Sequence, residues 1–228
     1  LDSCGNCDED DLNNCNPNQT VSLDAGANLI SFNALPEDRG VEFIFSGTNA
    51  VIGQGVGAVN LDAPAGNNWI GSLVDVSQDD GYWVKTTANA TLFHGEAYPV
   101  NYDDDGEVTY SIDHGNNLVS YPFSTAQGLD NALGDAAANI YAVAGQGKAA
   151  LNTENGWVGS LEAFEGGSGY WLVSTNEDGF EFNFTGHGSL ARSSEQAMVR
   201  TVPEDYNYLQ SDQQAFFFVE NATIKGEA

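Results

Sequence analysis

Four short blocks occur twice in this chain, in the same order and at nearly the same spacing, and that duplication restricts its fold more than any other feature. Asn28-Leu29-Ile30-Ser31 returns as Asn117-Leu118-Val119-Ser120, and Gly53-Gln54-Gly55 returns as Gly145-Gln146-Gly147. Trp69-Ile70-Gly71-Ser72-Leu73 returns as Trp157-Val158-Gly159-Ser160-Leu161, and Gly81-Tyr82-Trp83-Val84 as Gly169-Tyr170-Trp171-Leu172. The offsets are 89, 92, 88 and 88 residues, and all four tryptophans fall inside the repeat. Chance does not produce four ordered matches. Two homologous modules follow, at residues 20–97 and 109–186, with a Cys- and Asp-rich segment at 1–19, an acidic linker at 98–108 and a tail at 187–228.

The blocks read as strands. Their β-branched and aromatic residues, bounded by glycine turns, suit a pleated and half-buried surface. Segments 38–46 and 129–138 predict short helices between strands, the second because it is rich in Ala and Leu. Asp79-Asp80-Gly81, Glu165-Gly166-Gly167 and Asp104-Asp105-Gly106 read as turns. The expected fold is therefore mainly β with short helices: two tandem homologous β-rich modules plus a terminal strand segment. Gly53-Gln54-Gly55-Val56-Gly57 resembles a phosphate-cradling loop only superficially, since it lacks both the Lys-Ser/Thr of a P-loop and a βαβ context. Glycine in a tight turn or bulge accounts for it. Aromatic rings that recur at the same place in both copies are expected to fill cores, with stacking on a sugar as the competing use of Trp69, Trp83, Trp157 and Trp171.

Charge removes whole classes of function. With 33 acidic residues against six basic ones the net charge is -27, which excludes a nucleic-acid interface built on Lys and Arg. Such a chain repels itself in dilute buffer and is relieved by salt or divalent cations, which points to saline or calcium-bearing surroundings. At 41% hydrophobic residues it has ample material for packed cores. No stretch approaches a membrane span, no charged-then-apolar leader opens the sequence, and the first residue is Leu1 rather than Met, so a mature or proteolysed secreted product whose leader has been removed is the expectation. Cys4, Cys7 and Cys15 crowd the first fifteen residues and are the only cysteines. A zinc site would need a fourth ligand and the nearest His is His94, so disulfide chemistry in an oxidising compartment fits better, with one thiol left free or pairing outside this segment.

The order Gly-x-Asn-Leu-(Ile/Val)-Ser, Gly-x-Gly-x-Ala, Trp-(Ile/Val)-Gly-Ser-Leu, Gly-Tyr-Trp resembles tandem modules in large, uncharacterised extracellular proteins of aquatic bacteria and their phages. There the modules often follow a Cys- and Asp-rich element similar to Asp2-Ser3-Cys4-Gly5-Asn6-Cys7-Asp8. The resemblance covers residues 1–186 and extends to the stretch 213–220. It implies secretion and a role at a cell or virion surface.

Candidate sites are few. Asp8 and Asp10 beside the cysteines, and Asp103, Asp104 and Asp105 between the modules, are candidate calcium ligands, since calcium takes six to eight oxygens from closely spaced carboxylates and carbonyls. Neither cluster has the spacing of an EF-hand, and solvated acidic turns are the plainer reading. His94, His114 and His187 stand in unrelated contexts, without a nucleophile elbow, an HExxH or a Cys-His pairing, and no enzyme is expected. Asn18, Asn89, Asn183 and Asn221 are candidate glycosylation sites, at a frequency that chance alone supplies in so Asn-rich a chain. Beyond the modules, residues 213–224 carry Phe216, Phe217, Phe218 and Val219, a run apolar on both faces that reads as a strand buried on both sides. It begins either a third domain or a strand that completes a neighbouring subunit's sheet.

Together these features lead us to expect a structural subunit of an extracellular filament or fibre, pilus-like or from a virion, whose partners are copies of itself. The alternative is a secreted carbohydrate-binding or adhesive module that takes glycans on its aromatic rings.

Overall fold

A computed structural model describes residues 19–94, 97–99 and 108–185. The chain is mainly β, with two similar five-stranded antiparallel sheets, one in each copy of the repeat. Copy 1 contains β1 (Gln19–Leu23), β2 (Gly26–Ile30), β3 (Ala34–Leu35), α1 (Val41–Ile44), β4 (Ala50–Ile52), β5 (Gly57–Asn60), β6 (Trp69–Gly71), β7 (Tyr82–Thr86), β8 (Ala90–His94) and β9 (Tyr98–Pro99). Copy 2 contains β10 (Tyr110–Ile112), β11 (Gly115–Val119), β12 (Gln127–Gly128), α2 (Leu129–Leu133), a 3-10 turn (Gly134–Asn139), β13 (Ile140–Gly145), β14 (Lys148–Thr153), β15 (Gly156–Gly159), β16 (Ala163–Phe164), β17 (Tyr170–Ser174) and β18 (Phe180–Phe182).

Strand order is β2-β7-β4-β5-β6 in copy 1 and β11-β17-β13-β14-β15 in copy 2, so the recurring sequence blocks occupy equivalent strands. A two-stranded ribbon accompanies each sheet, β1 with β8 and β10 with β18. The period-2 pattern explains which side is buried. In β7, Tyr82, Val84 and Thr86 point inward while Trp83 and Lys85 point out, and β17 repeats this with Tyr170, Leu172 and Ser174 inward.

Each copy has its own core, and the two cores share no residue. In copy 1, Tyr82 packs on Phe32 and Phe45, and α1 covers them with Val41 and Ile44. In copy 2, Phe164 lies against Tyr121, Tyr170 and Phe184, with Leu129, Ala132 and Leu133 of α2 buried beside them. Both helices fall within segments 38–46 and 129–138, where short helices are expected. The second is cut short because Gly134 turns to φ +51, and the Ala-rich stretch continues as a 3-10 turn.

Several repeated residues are explained by local geometry. The Asn28 amide donates to the Asp24 carbonyl at 2.8 Å and accepts from the Asp24 N–H at 2.9 Å, and Asn117 does the same with Asp113 at the same distances. This amide closes the turn that leads into β2 and into β11. Gly71 and Gly159 are required by close approach: a Cβ there would stand 2.1 Å from the carbonyl oxygen of Gly57 and of Ala149, respectively. The following serine completes the edge, Ser72 Oγ accepting from Gly57 N–H and Ser160 Oγ from Ala149 N–H.

Candidate functional site

The residues with most to say about function lie where the two copies meet. β2 has β7 on one side, and its other side is taken by the turn before β17 of copy 2. Ser31 N–H donates to Gly167 O at 3.0 Å, Gly169 N–H donates to Leu29 O at 3.4 Å, and Ile30 and Ser168 form an antiparallel bridge. The reverse arrangement repeats this. Ser120 N–H donates to Asp79 O at 2.9 Å, Gly81 N–H to Leu118 O at 3.4 Å, and Asp80 bridges Val119. The serine hydroxyls of the two Asn-Leu-(Ile/Val)-Ser blocks also cross, Ser31 Oγ donating to Ser168 O and Ser120 Oγ to Gln78 O.

The Gly-Gln-Gly blocks supply a clasp to this seam. Each sits in the hairpin turn between the third and fourth strands of its sheet, where Gly55 and Gly147 take φ values of +74 and +70 that favour glycine. From that turn Gln54 reaches the other copy, its Oε1 accepting from Leu118 N–H at 2.6 Å and its Nε2 donating to Asn116 O at 3.2 Å. Gln146 does the same to Leu29 N–H at 2.7 Å and Ala27 O at 3.3 Å. The glutamine amide thus satisfies one donor and one acceptor of the opposing edge strand.

Glycine at the start of the Gly-Tyr-Trp block has the same origin. A Cβ on Gly81 would meet Val119 O at 2.8 Å and Leu118 Cδ1 at 2.9 Å, and one on Gly169 would meet Ile30 O at 2.7 Å and Leu29 Cδ1 at 3.1 Å. Both obstacles belong to the other copy. The seam is therefore self-complementary: one patch, present in each copy, is placed against its equivalent across a pseudo-two-fold axis. Such a contact closes on itself and leaves no equivalent patch open.

Two electrostatic features border the seam. The Asp80 carboxyl is pushed above the usual carboxylate range by burial, and the neighbouring Asp79 adds to the effect while the Tyr82 hydroxyl opposes it. The Tyr82 phenol is raised above its ordinary value by burial even though its oxygen accepts from Ser77 N–H at 2.7 Å. Its counterpart Tyr170, accepting from Glu165 N–H at 2.6 Å, is pushed up to about 12 by burial. On one flank the seam opens into a polar cleft of about 300 Å³, lined by Thr20, Ser22 and Asp24 of copy 1 and Gln146, Gly167 and Ser168 of copy 2.

The outer faces of the sheets are the other exposed feature. Residues directly paired across strands share a face, so the register Trp83–Ile52, Ala50–Val59 and Val59–Ile70 lays an apolar row across copy 1 opposite its core. Ile52, Val59 and Ile70 are 57%, 50% and 60% exposed. In copy 2 the row runs through Trp171, Leu151 and Val158. All four tryptophans are half-buried. Trp69 and Trp157 pack against the cores, Trp69 Nε1 donating to Asn67, whereas Trp83 and Trp171 lie on the outer faces.

Most residues singled out from sequence lie outside the described residues: Cys4, Cys7, Cys15, Asp8, Asp10, Asp103, Asp104, Asp105, Phe216, Phe217, Phe218, Val219, Asn18 and Asn221. Asn89 is exposed in the turn between β7 and β8, its Oδ1 accepting from Ala25 N–H, and Asn183 is half-buried after β18. His114 is exposed in the turn between β10 and β11. Among the described residues no three His, Cys, Asp or Glu side chains gather in a group that could hold a metal ion, and no helix is long and apolar enough to cross a membrane. The glutamine clasp is what sequence reasoning missed, although the signal was present: Gln54 and Gln146 are the polar residues retained between glycines in both copies. Compared with protein-family models, curated proteins and solved structures, the chain matches none.

Proposed function

We propose that the chain is a structural subunit of an extracellular filament or fibre, in which the pair of repeat copies is the rigid building block. The observation that supports this most is what the repeated residues do: they fill cores, close turns and form the seam. Because the seam is closed, filament growth must use other parts of the chain, and the apolar strand segment 213–224 and the cysteine segment 4–15 are the proposed joints. Calcium held by the Asp-rich segments would offset the large negative charge there. Negative-stain electron microscopy and light scattering of the purified chain at high concentration, with calcium, should show fibres or discrete oligomers. A compact monomer under those conditions contradicts the reading.

A second reading, a carbohydrate-binding or adhesive surface, is favoured by one observation: the exposed apolar row that continues from Trp83 through Ile52, Val59 and Ile70. Glycan-array binding that is lost in Trp83→Ala would establish it, and a blank array would remove it.

A further inference from the structure

We infer that each repeat copy is a self-sufficient pairing unit whose seam surface binds any equivalent surface, so that a copy freed from its in-chain partner pairs with a second copy of itself. The inference does not depend on the filament reading. It rests on reciprocity at atomic level. Copy 2 carries both halves of the contact: a clasp half, with the Gln146 amide, the Gly167 and Ser168 carbonyls and the Gly169 N–H, and an edge-strand half, at Asn116, Leu118 and Ser120. Copy 1 carries the same two halves, with Gln54, Asp79 and Gly81 facing outward and Ala27, Leu29 and Ser31 receiving. Most of these contacts are to backbone, and the side chains that cross, Gln and Ser, are identical in both; the copies differ in that Ser31 Oγ donates to Ser168 O but Ser120 Oγ to Gln78 O, and in that Asp79-Asp80 stand where copy 2 has Gly167-Ser168. The bare Cα that each seam needs is also present twice, at Gly81 and Gly169. Separate cores allow each copy to hold this surface in shape. An isologous contact between two fused, equivalent units is the geometry of a homodimer joined by a linker.

The test uses the whole chain, with a protease site inserted between β9 and β10, within residues 100–107. After cleavage the N half and C half are left to exchange in reductant, so that Cys4, Cys7 and Cys15 cannot link N halves, and native mass spectrometry reads the N:N, N:C and C:C pairs. All three are expected. Gln146→Ala supplies the decisive signature, because a C:C pair contains two Gln146 clasps, an N:C pair one and an N:N pair none. With two hydrogen bonds lost per clasp, the association constant should fall about tenfold for N:C, about a hundredfold for C:C, and not at all for N:N. Halves that form only N:C pairs overturn the inference. So does C:C pairing that Gln146→Ala leaves unchanged, since it would then run through another surface such as the 213–224 segment.

Discussion

Replacing Gly169 with alanine adds a single methyl group and asks whether the seam is a packed contact. Gly169 has no positive φ to strain an alanine, so the methyl's effect comes from what it meets: Ile30 O at 2.7 Å, Leu29 Cδ1 at 3.1 Å and the Ile30 carbonyl carbon at 3.2 Å. Backbone cannot rotate away as a side-chain tip would, so the strands must separate. Three seam hydrogen bonds lie within reach of that movement: Gly169 N–H to Leu29 O at 3.4 Å, Ser31 N–H to Gly167 O at 3.0 Å and Ser31 Oγ to Ser168 O at 2.7 Å. Losing two of them at about 1 kcal/mol each, against a gain of roughly 0.4–1 kcal/mol from the less flexible unfolded chain, leaves a net loss of about 1–2 kcal/mol. For a chain of this size that lowers the melting temperature by about 2–8 °C. Differential scanning calorimetry measures it, with Gly128→Ala as the control, because a Cβ on Gly128 meets nothing nearer than Glu162 O at 4.0 Å. A Gly169→Ala melting temperature equal to or above that of the unmodified chain would refute the reasoning.

Three further predictions follow from the same geometry. Tyr82, Tyr121 and Tyr170, raised by burial, ionise above the ordinary phenol value of about 10 in an alkaline absorbance titration; the stability they contribute is complete below about pH 10, their value in the unfolded chain, and is lost as pH rises through the folded values. Asp80 is also raised in the folded chain, so its contribution is complete below its unfolded value near 3.8 and lost above it; Asp80→Asn should raise the denaturation midpoint at neutral pH and leave it unchanged in acid. Gly71→Ala drives a methyl into Gly57 O at 2.1 Å and should release the β6 edge, at about 2–4 kcal/mol in chemical denaturation.

The strands and helices were legible in the sequence because they rest on signals of the right kind. Tyr82-Trp83-Val84 carries the aromatic and β-branched residues of a strand after a glycine turn, and residues 129–138 are rich in Ala and Leu. The roles of the repeated tyrosines as core residues were legible for the same reason, since Tyr82 and Tyr170 are almost wholly buried. The tryptophans divide: Trp69 and Trp157 pack on the cores as expected, while Trp83 and Trp171 take alternate positions that the pleat turns outward. The seam was not legible. It is made of backbone groups, two glutamine amides, two serine hydroxyls and two bare Cα atoms, none of which alters a hydrophobic pattern, and Gly81 and Gly169 look like ordinary turn glycines until the opposing strand is in place. Gly53 shows the limit in another way: it is read from sequence as a turn residue, yet a Cβ there would stand 3.4 Å from the Tyr82 ring, against which the hairpin closes.

Residue-resolved hydrogen exchange tests the seam itself. The amides of Leu29, Ser31, Gly81, Leu118, Ser120 and Gly169 bond to the opposite copy. If the two copies form one locked unit, these six exchange as slowly as the amides of the central strands β7 and β17, and those of Leu29 and Leu118 speed up together when Gln54 and Gln146 are both replaced by alanine. Exchange of the six at the rate of surface turns in the unmodified chain would contradict the account.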